Sequence, residues 1–277
     1  MRADQPRTPD FIYGTAWKED RTAPLTELAI RSGFRAIDTA NQRKHYYEGG
    51  VGEALAAVYG AGIVTRSDVF LQTKFTYQRG QDHRLPFDPK APIALQVEQS
   101  LTSSFDHLGT DYVDSFVLHG PSTSYEWSAD DQEAWQAMMK ERDRERTRML
   151  GVSNVSLLHL QQMIAIHGEV PAFVQNRCYA RLGWDGDVRA FCREHCIIYQ
   201  GFSLLTANLE IVRHSTIARI AFAKNASPAQ VVFAFARTIG ILPLTGTSSE
   251  EHMKQDLASR ELSLSEDEVQ KIKSLSG

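Results

Sequence analysis

Apolar residues along this chain recur with two different periods, and the two periods take turns. Short, mostly apolar runs, such as 34–37, 69–73 and 241–244, have the length and branched content of buried strands. Between them, apolar positions fall at helical spacing, as with Leu25, Leu28 and Ala29, or Val97, Leu101 and Phe105. The pattern predicts strands at 11–17, 34–37, 69–73, 113–118, 149–152, 172–174, 196–201 and 241–244. It predicts helices at 22–32, 51–59, 93–108, 129–142, 157–166, 187–195, 216–224, 228–238, 250–258 and 266–275. Gly33 stops the first of these. Strands alternating with helices argue for a parallel sheet. Eight such units in 277 residues argue for a closed (β/α)8 TIM barrel, a single α/β domain over residues 1–277.

The residues that end the strands carry the chemistry. In a barrel of this kind all strand C-termini meet on one face. The predicted strands end on Trp17, Asp38, Lys74, His119, Ser153-Asn154, Gln175, Phe202-Ser203 and Gly246-Thr247-Ser248. Each has a structural alternative. Asp38 can cap a turn, Lys74 can pair with a surface acid, and His119 can be a hydrogen-bonded core histidine. Asn154 can be a turn residue, and Gln175 can satisfy a backbone group. A polar group at nearly every tip is harder to explain that way. One acid, one lysine, one histidine and the nearby Tyr46 make a working acid–base set.

Composition narrows the rest. With 42% hydrophobic residues the chain can bury a large core, and a net charge of -4 offers no field for nucleic acid. Cys192 and Cys196 flank His195, but no partner cluster completes a metal site, so the thiols are expected to be structural. Reduced thiols suit the cytoplasm. Residues 1–10 are polar, and no run is long enough to span a membrane. The alternating charges of 140–148 read as a solvated helix end.

Several motifs, in order, resemble the aldo-keto reductase superfamily. They are Gly-Thr-Ala-Trp at 14–17, Ile-Asp-Thr-Ala at 37–40, Thr-Lys at 73–74 and Leu-His-Gly-Pro at 118–121. Gly-Val-Ser-Asn at 151–154, Val-Gln-Asn at 174–176 and Gly-Thr-Ser-Ser-Glu-Glu-His at 246–252 complete the set. The resemblance implies an NAD(P)H-dependent carbonyl reductase acting on a small-molecule carbonyl or alcohol, and a monomer is expected. It implies Asp38, Tyr46, Lys74 and His119 as the catalytic four. Tyr46, not the adjacent Tyr47, then falls at the acid's place, counted from the landmarks Glu48 and Val51-Gly52. Lys74 is expected to lower the phenol's pKa, Asp38 to hold Lys74, and His119 to orient the carbonyl.

By the same resemblance Ser153, Asn154 and Gln175 grip a nicotinamide carboxamide, and Phe202 takes the stacking position. Ser203, Leu205 and Asn208 lie along the pyrophosphate path, and Gly14, Thr15, Asp38 and Asp256 complete the cofactor set. Gly246, Thr247 and Ser248 open the last barrel helix, where free N–H groups suit phosphate. Ser248 with Glu251 also fits a capping box. Gly246 and His252 stand where NADPH-preferring members carry a lysine and an arginine. NADP(H) is still favoured, with NAD(H) possible.

Trp17, Tyr47, Phe75, Tyr77 and Trp127 near the tips, with His119, are expected to line an open substrate mouth that takes bulky carbonyls. Arg79, His83 and Arg84 cluster in the long 75–92 loop and offer either a solvated loop or a hold on an anionic substrate. A second reading, a nucleotide-binding regulatory subunit of the same fold with little turnover, predicts binding without reduction.

Overall fold

A computed structural model describes residues 8–276; the first seven residues of the polar N-terminal stretch lie outside them. Eight strands close a parallel barrel in chain order. They are β1 (Ile12–Gly14), β2 (Ala36–Asp38), β3 (Phe70–Phe75), β4 (Val113–Leu118), β5 (Thr147–Ser153), β6 (Phe173–Arg177), β7 (Ile198–Phe202) and β8 (Ile241–Thr245). The helices around it include α1 (Thr22–Arg31), α2 (Glu48–Gly60), α3 (Ile93–Leu108), α4 (Ala129–Asp143), α5 (Leu157–His167) and α6 (Gly186–Glu194). Four more follow β7: α7 (Leu209–Val212), α8 (Ser215–Ala223) and α9 (Pro228–Thr238) before β8, and α10 (Glu250–Ala258) after it. The last, α11, spans Glu266–Lys273.

Strand side chains alternate between faces, and that alternation sorts the barrel into layers. Ile12, Ala36, Phe70, Phe173 and Leu242 form a small apolar cluster separate from the main core. Two residues further along three of those strands stand Asp38, Gln72 and Gln175, with Gln200 of β7 beside Gln175 in register. Gln72 on β3 and Gln200 on β7 hydrogen-bond each other, which strands four apart can do only across the barrel interior. The interior therefore runs from an apolar floor through a polar layer to the open face. Residues of opposite parity, among them Tyr13, Ile37, Leu71, Phe116, Val152 and Val174, point outward into the main core against the helices.

Local signals set the helix ends. Ser128, Ser156, Ser227 and Ser265 each cap a helix with a reciprocal box. Gly52 lets α2 pass against the end of α3; a Cβ there would sit 2.0 Å from the His107 carbonyl oxygen.

Some boundaries differ from expectation. The first strand stops at Gly14, because Trp17 takes a left-handed φ of 61° and its N–H turns to the His45 carbonyl. The seventh begins at Ile198 because Cys196 is also left-handed. Helix α2 starts three residues early, at Glu48, whose buried carboxylate accepts from Thr73, Ser104 and His107. The 75–92 loop is pinned at several points, while Arg79, His83 and Arg84 along it are exposed. Gln42 donates to the Gly80 carbonyl, Gln81 donates to the Asn41 and Thr76 carbonyls, and Tyr77 and Phe87 are buried. Cys178 and Cys192 are buried, which pushes both thiols up to about 12; Cys196 is exposed.

Candidate active site

The polar layer centres on one ion pair. Lys74 Nζ lies 2.6 and 2.7 Å from the two Asp38 oxygens and 2.8 Å from the Thr39 carbonyl. Lys74 is 0% exposed and Asp38 2%. Two buried charges persist only when paired and fully hydrogen-bonded. The remaining capacity of Asp38 Oδ1 is met by side-chain amides, Gln72 at 2.7 Å and Gln175 at 3.1 Å. Both glutamines also donate to Gln200 Oε1, at 2.9 and 2.8 Å. A closed set of three glutamines thus fixes the carboxylate from below. Burial pulls the Lys74 ammonium down, while the Asp38 charge pulls it back up.

Tyr46 follows from the β2–α2 loop, where its N–H donates to the Gln42 carbonyl. Its ring centroid is 5.0 Å from Lys74 Nζ and 5.8 Å from the His119 ring, edge to face. The sequence reading has Lys74 lowering the phenol's pKa. In the structure the ammonium's donors go to Asp38 and Thr39, and burial, with the Asp38 charge behind it, raises the phenol instead. Tyr46 therefore keeps its proton. His119 directly follows β4, with Nδ1 2.6 Å from Thr76 Oγ1. Burial, then the Lys74 charge, then His45, hold its pKa well below the ordinary value, so the ring is neutral.

Two cavities meet at these groups. A cleft of roughly 750 Å³ and a second of roughly 320 Å³ share Ala16, Trp17, Tyr46, His119 and Asn154. Three residues at strand tips, Trp17, Asn154 and Ser203, hold left-handed backbone near the cleft, with φ of 61°, 55° and 57°. Strain of this kind clusters where a site dictates geometry. Ser153 Oγ donates to the Gln175 carbonyl, and Asn154 donates to the His119 carbonyl at 2.8 Å, tying β4, β5 and β6 together. Gly14, Gln175, Phe202, Ser203 and Leu205 also line the larger cleft. At its far end stand Gly246, Thr247, His252 and Asp256. Burial raises the Asp256 carboxyl to about 6, against the pull of Thr245 and His252.

Other expected residues lie elsewhere. Thr15 is buried beneath the cleft, bonding the Asp38 carbonyl. Asn208 is buried too, and its amide is spent on Ala180, Cys178 and Leu204, so it shapes the loop and does not face the cleft. Ser248 is exposed, and the cap of α10 is Ser249, which accepts from the His252 N–H. Trp17 stays at the mouth, 67% exposed and tilted against the His45 ring, and Tyr77 lines the smaller cavity. Phe75 points into the core because it is one residue out of phase with Lys74. Trp127 packs on Trp135 and donates to His167. Tyr47 turns to a third cavity and stacks on Arg43. These three do not line the mouth.

Four further residues belong to the site. Gln72 and Gln200 share parity with Lys74 and Phe202, the one signal that marks them. Lys18, directly after Gly-Thr-Ala-Trp, is mostly buried, lines the far end of the cleft and donates to the Gly246 carbonyl. Arg177, two residues beyond Gln175, lines the cleft, donates to Ser203 Oγ at 3.2 Å and lies over Phe202. The cleft thus has an amide-lined inner end and a cationic outer end, facing the first turn of α10.

A barrel that gathers its titratable groups at the seam between two cavities is built for acid–base work on a small molecule, and fold and site together define a barrel enzyme. The sequence profile of the Aldo/keto reductase family matches residues 12–207, and the chain belongs to that family. It is similar to an aldo-keto reductase of Mycolicibacterium vanbaalenii, 29% identical over 272 residues, which covers 96% of this chain and 88% of the relative. It is equally similar to the methylglyoxal reductase DkgB of Escherichia coli O157:H7, 29% identical over 278 residues, with 96% and 92% covered. Among solved structures, an aldo/keto reductase from Brucella melitensis superposes with a TM-score of 0.82 at 25% identity, over 96% of this chain and 95% of the other. A Bombyx mori aldo-keto reductase in complex with NADP superposes at 0.82 with 22% identity, over 96% and 89%, a likeness of fold alone. No helix among the described residues is long and apolar enough to cross a membrane.

Proposed function

We propose that the chain is an NADPH-dependent reductase of small-molecule aldehydes or ketones, with Tyr46 as general acid. The observation that carries this is the meeting of Tyr46, His119 and the Lys74–Asp38 pair where the two cavities join. Bound in the larger cleft, NADPH would supply a hydride for a carbonyl carbon. The residues there suit it: Asn154 and Gln175 offer side-chain amide oxygens and Ser153 a hydroxyl oxygen to its carboxamide, and Phe202 a ring face. Lys18 and the α10 N-terminus offer positive charge to its phosphates, and His252 a ring nitrogen for hydrogen bonding. Lys18 supplies a cation that the Gly246 and His252 positions do not, which supports NADPH over NADH.

The chain's own steps follow from the protonation states. Neutral His119 has Nδ1 occupied by Thr76, so Nε2 is free to donate to the carbonyl oxygen and hold it. As that oxygen gains negative charge, Tyr46 passes it the phenolic proton. The phenolate left behind is stabilised by the Lys74 ammonium, at 5.0 Å from the ring, and Asp38 keeps Lys74 in place. The test is consumption of NADPH with methylglyoxal and with an aryl aldehyde. Turnover with a preference for NADPH supports the reading. NADPH binding with no turnover on any reactive carbonyl favours a regulatory subunit, and no nicotinamide binding rejects both.

A further inference from the structure

The smaller cavity carries one unspent full charge. No aspartate or glutamate lines it; its titratable groups are His45, Tyr46, Tyr77, Arg79 and His119. Burial holds both histidines below their ordinary value, so both are neutral near pH ~7. Arg79 alone is charged. Its Nη2 donates to the Pro121 carbonyl, and it joins none of the ion pairs among the described residues. A guanidinium has five N–H groups in a planar fork, so most remain available to a ligand.

The two arginines expected to act together are separated. Arg84 is paired with Asp82, donates to the Arg43 carbonyl and lines the third cavity, and His83 is exposed. Arg79 by contrast stands on a fixed turn, Gln78–Gly80, held by the Gln42 and Gln81 bonds already described. Thr76, three residues earlier on the same stretch, bonds His119. One short piece of backbone therefore holds both the carbonyl-orienting histidine and the cation.

We infer that Arg79 makes this pocket select carbonyl substrates that also carry a carboxylate, with the carbonyl at Tyr46 and His119 and the carboxylate on the guanidinium. Planar bidentate pairing is what a carboxylate offers an arginine and an ester does not. The inference rests on the reductase reading above.

The test compares para-carboxybenzaldehyde with its methyl ester and with benzaldehyde, NADPH being saturating, in the wild type, Arg79→Gln and Arg84→Gln. The wild type should favour the acid over the ester by about tenfold in kcat/KM, as one charge-assisted contact at a partly exposed site allows. Arg79→Gln should erase that preference through KM for the acid, Arg79→Lys should restore part of it, and Arg84→Gln should keep it. Equal wild-type turnover of acid and ester, or equal loss on both in Arg79→Gln, overturns this inference and leaves the reductase reading standing. No turnover of any of the three removes the reductase reading and this inference with it.

Discussion

The first four strands and the last four equip the open face of this barrel in different ways. From β2 to β4 come Asp38, Tyr46, Lys74 and His119: the ion pair is buried, and Tyr46 and His119 stand half-buried above it. From β5 to β8 come Asn154, Ser203, Thr247 and His252, at the rim and open to solvent in whole or part. Groups that stabilise developing charge work best when preorganised and dry. Groups that hold a ligand which comes and goes must be reachable. The contrast extends to the buried acids. Asp38 has an ammonium partner, while Asp256 relies on the Thr245 hydroxyl at 2.8 Å. The halves are joined at Gln175, whose amide reaches from β6 to Asp38.

Removing the keystone of the first half should have the largest effect. Lys74→Met leaves Asp38 buried without its cation, which costs about 3–5 kcal/mol. Thermal melts should show that loss, and turnover should fall by more than about a hundredfold. NADPH titration should change far less if the halves divide the work as described. Gln175→Leu should come next, because it cuts the seam. It removes donors from Asp38 and Gln200 and should cost about 1–3 kcal/mol. It should also weaken NADPH binding and slow turnover together, the only single change here expected to injure both.

A smaller effect should appear at Asp256. Its carboxyl titrates near 6 in the folded protein, above its ordinary value, so the folded chain takes up the proton first. That contribution to stability is full below about pH 4 and is lost as pH rises through about 6. Asp256→Asn, which can still accept from Thr245, should therefore melt a little higher than the wild type near pH ~8 and not near pH ~4. Smallest of all should be Tyr47→Phe. Its ring packs on Arg43 outside both joined cavities, so kcat/KM should stay within about twofold of the wild type, the usual range for a change that breaks no buried contact.

The same division governs what could be read from sequence. The alternation of periods gives the barrel, and the abrupt polar ends of β2, β3 and β4 give Asp38, Lys74 and His119, because a strand tip fixes both position and direction. Where a loop sets direction, proximity misleads. Of the neighbours Tyr46 and Tyr47, Tyr46 alone lines the two joined cavities, and Asn208 folds back on its own loop. Phe75 was legible by parity, since 70, 72 and 74 already face inward. Gln72 and Gln200 were legible by the same count. So was Arg177, in phase with Phe173 and Gln175 on β6, whereas Lys18 was not, because nothing in its spacing says that a long side chain will reach along the cleft.

The most direct test of this division is Tyr46→Phe, measured twice on one preparation, once for NADPH affinity by quenching of tryptophan fluorescence and once for a single turnover with a reactive aldehyde. The account predicts unchanged affinity and hydride transfer slowed by about a hundredfold to ten-thousandfold, the usual weight of a general acid. Retained turnover in Tyr46→Phe, or its loss in Tyr47→Phe instead, would contradict it.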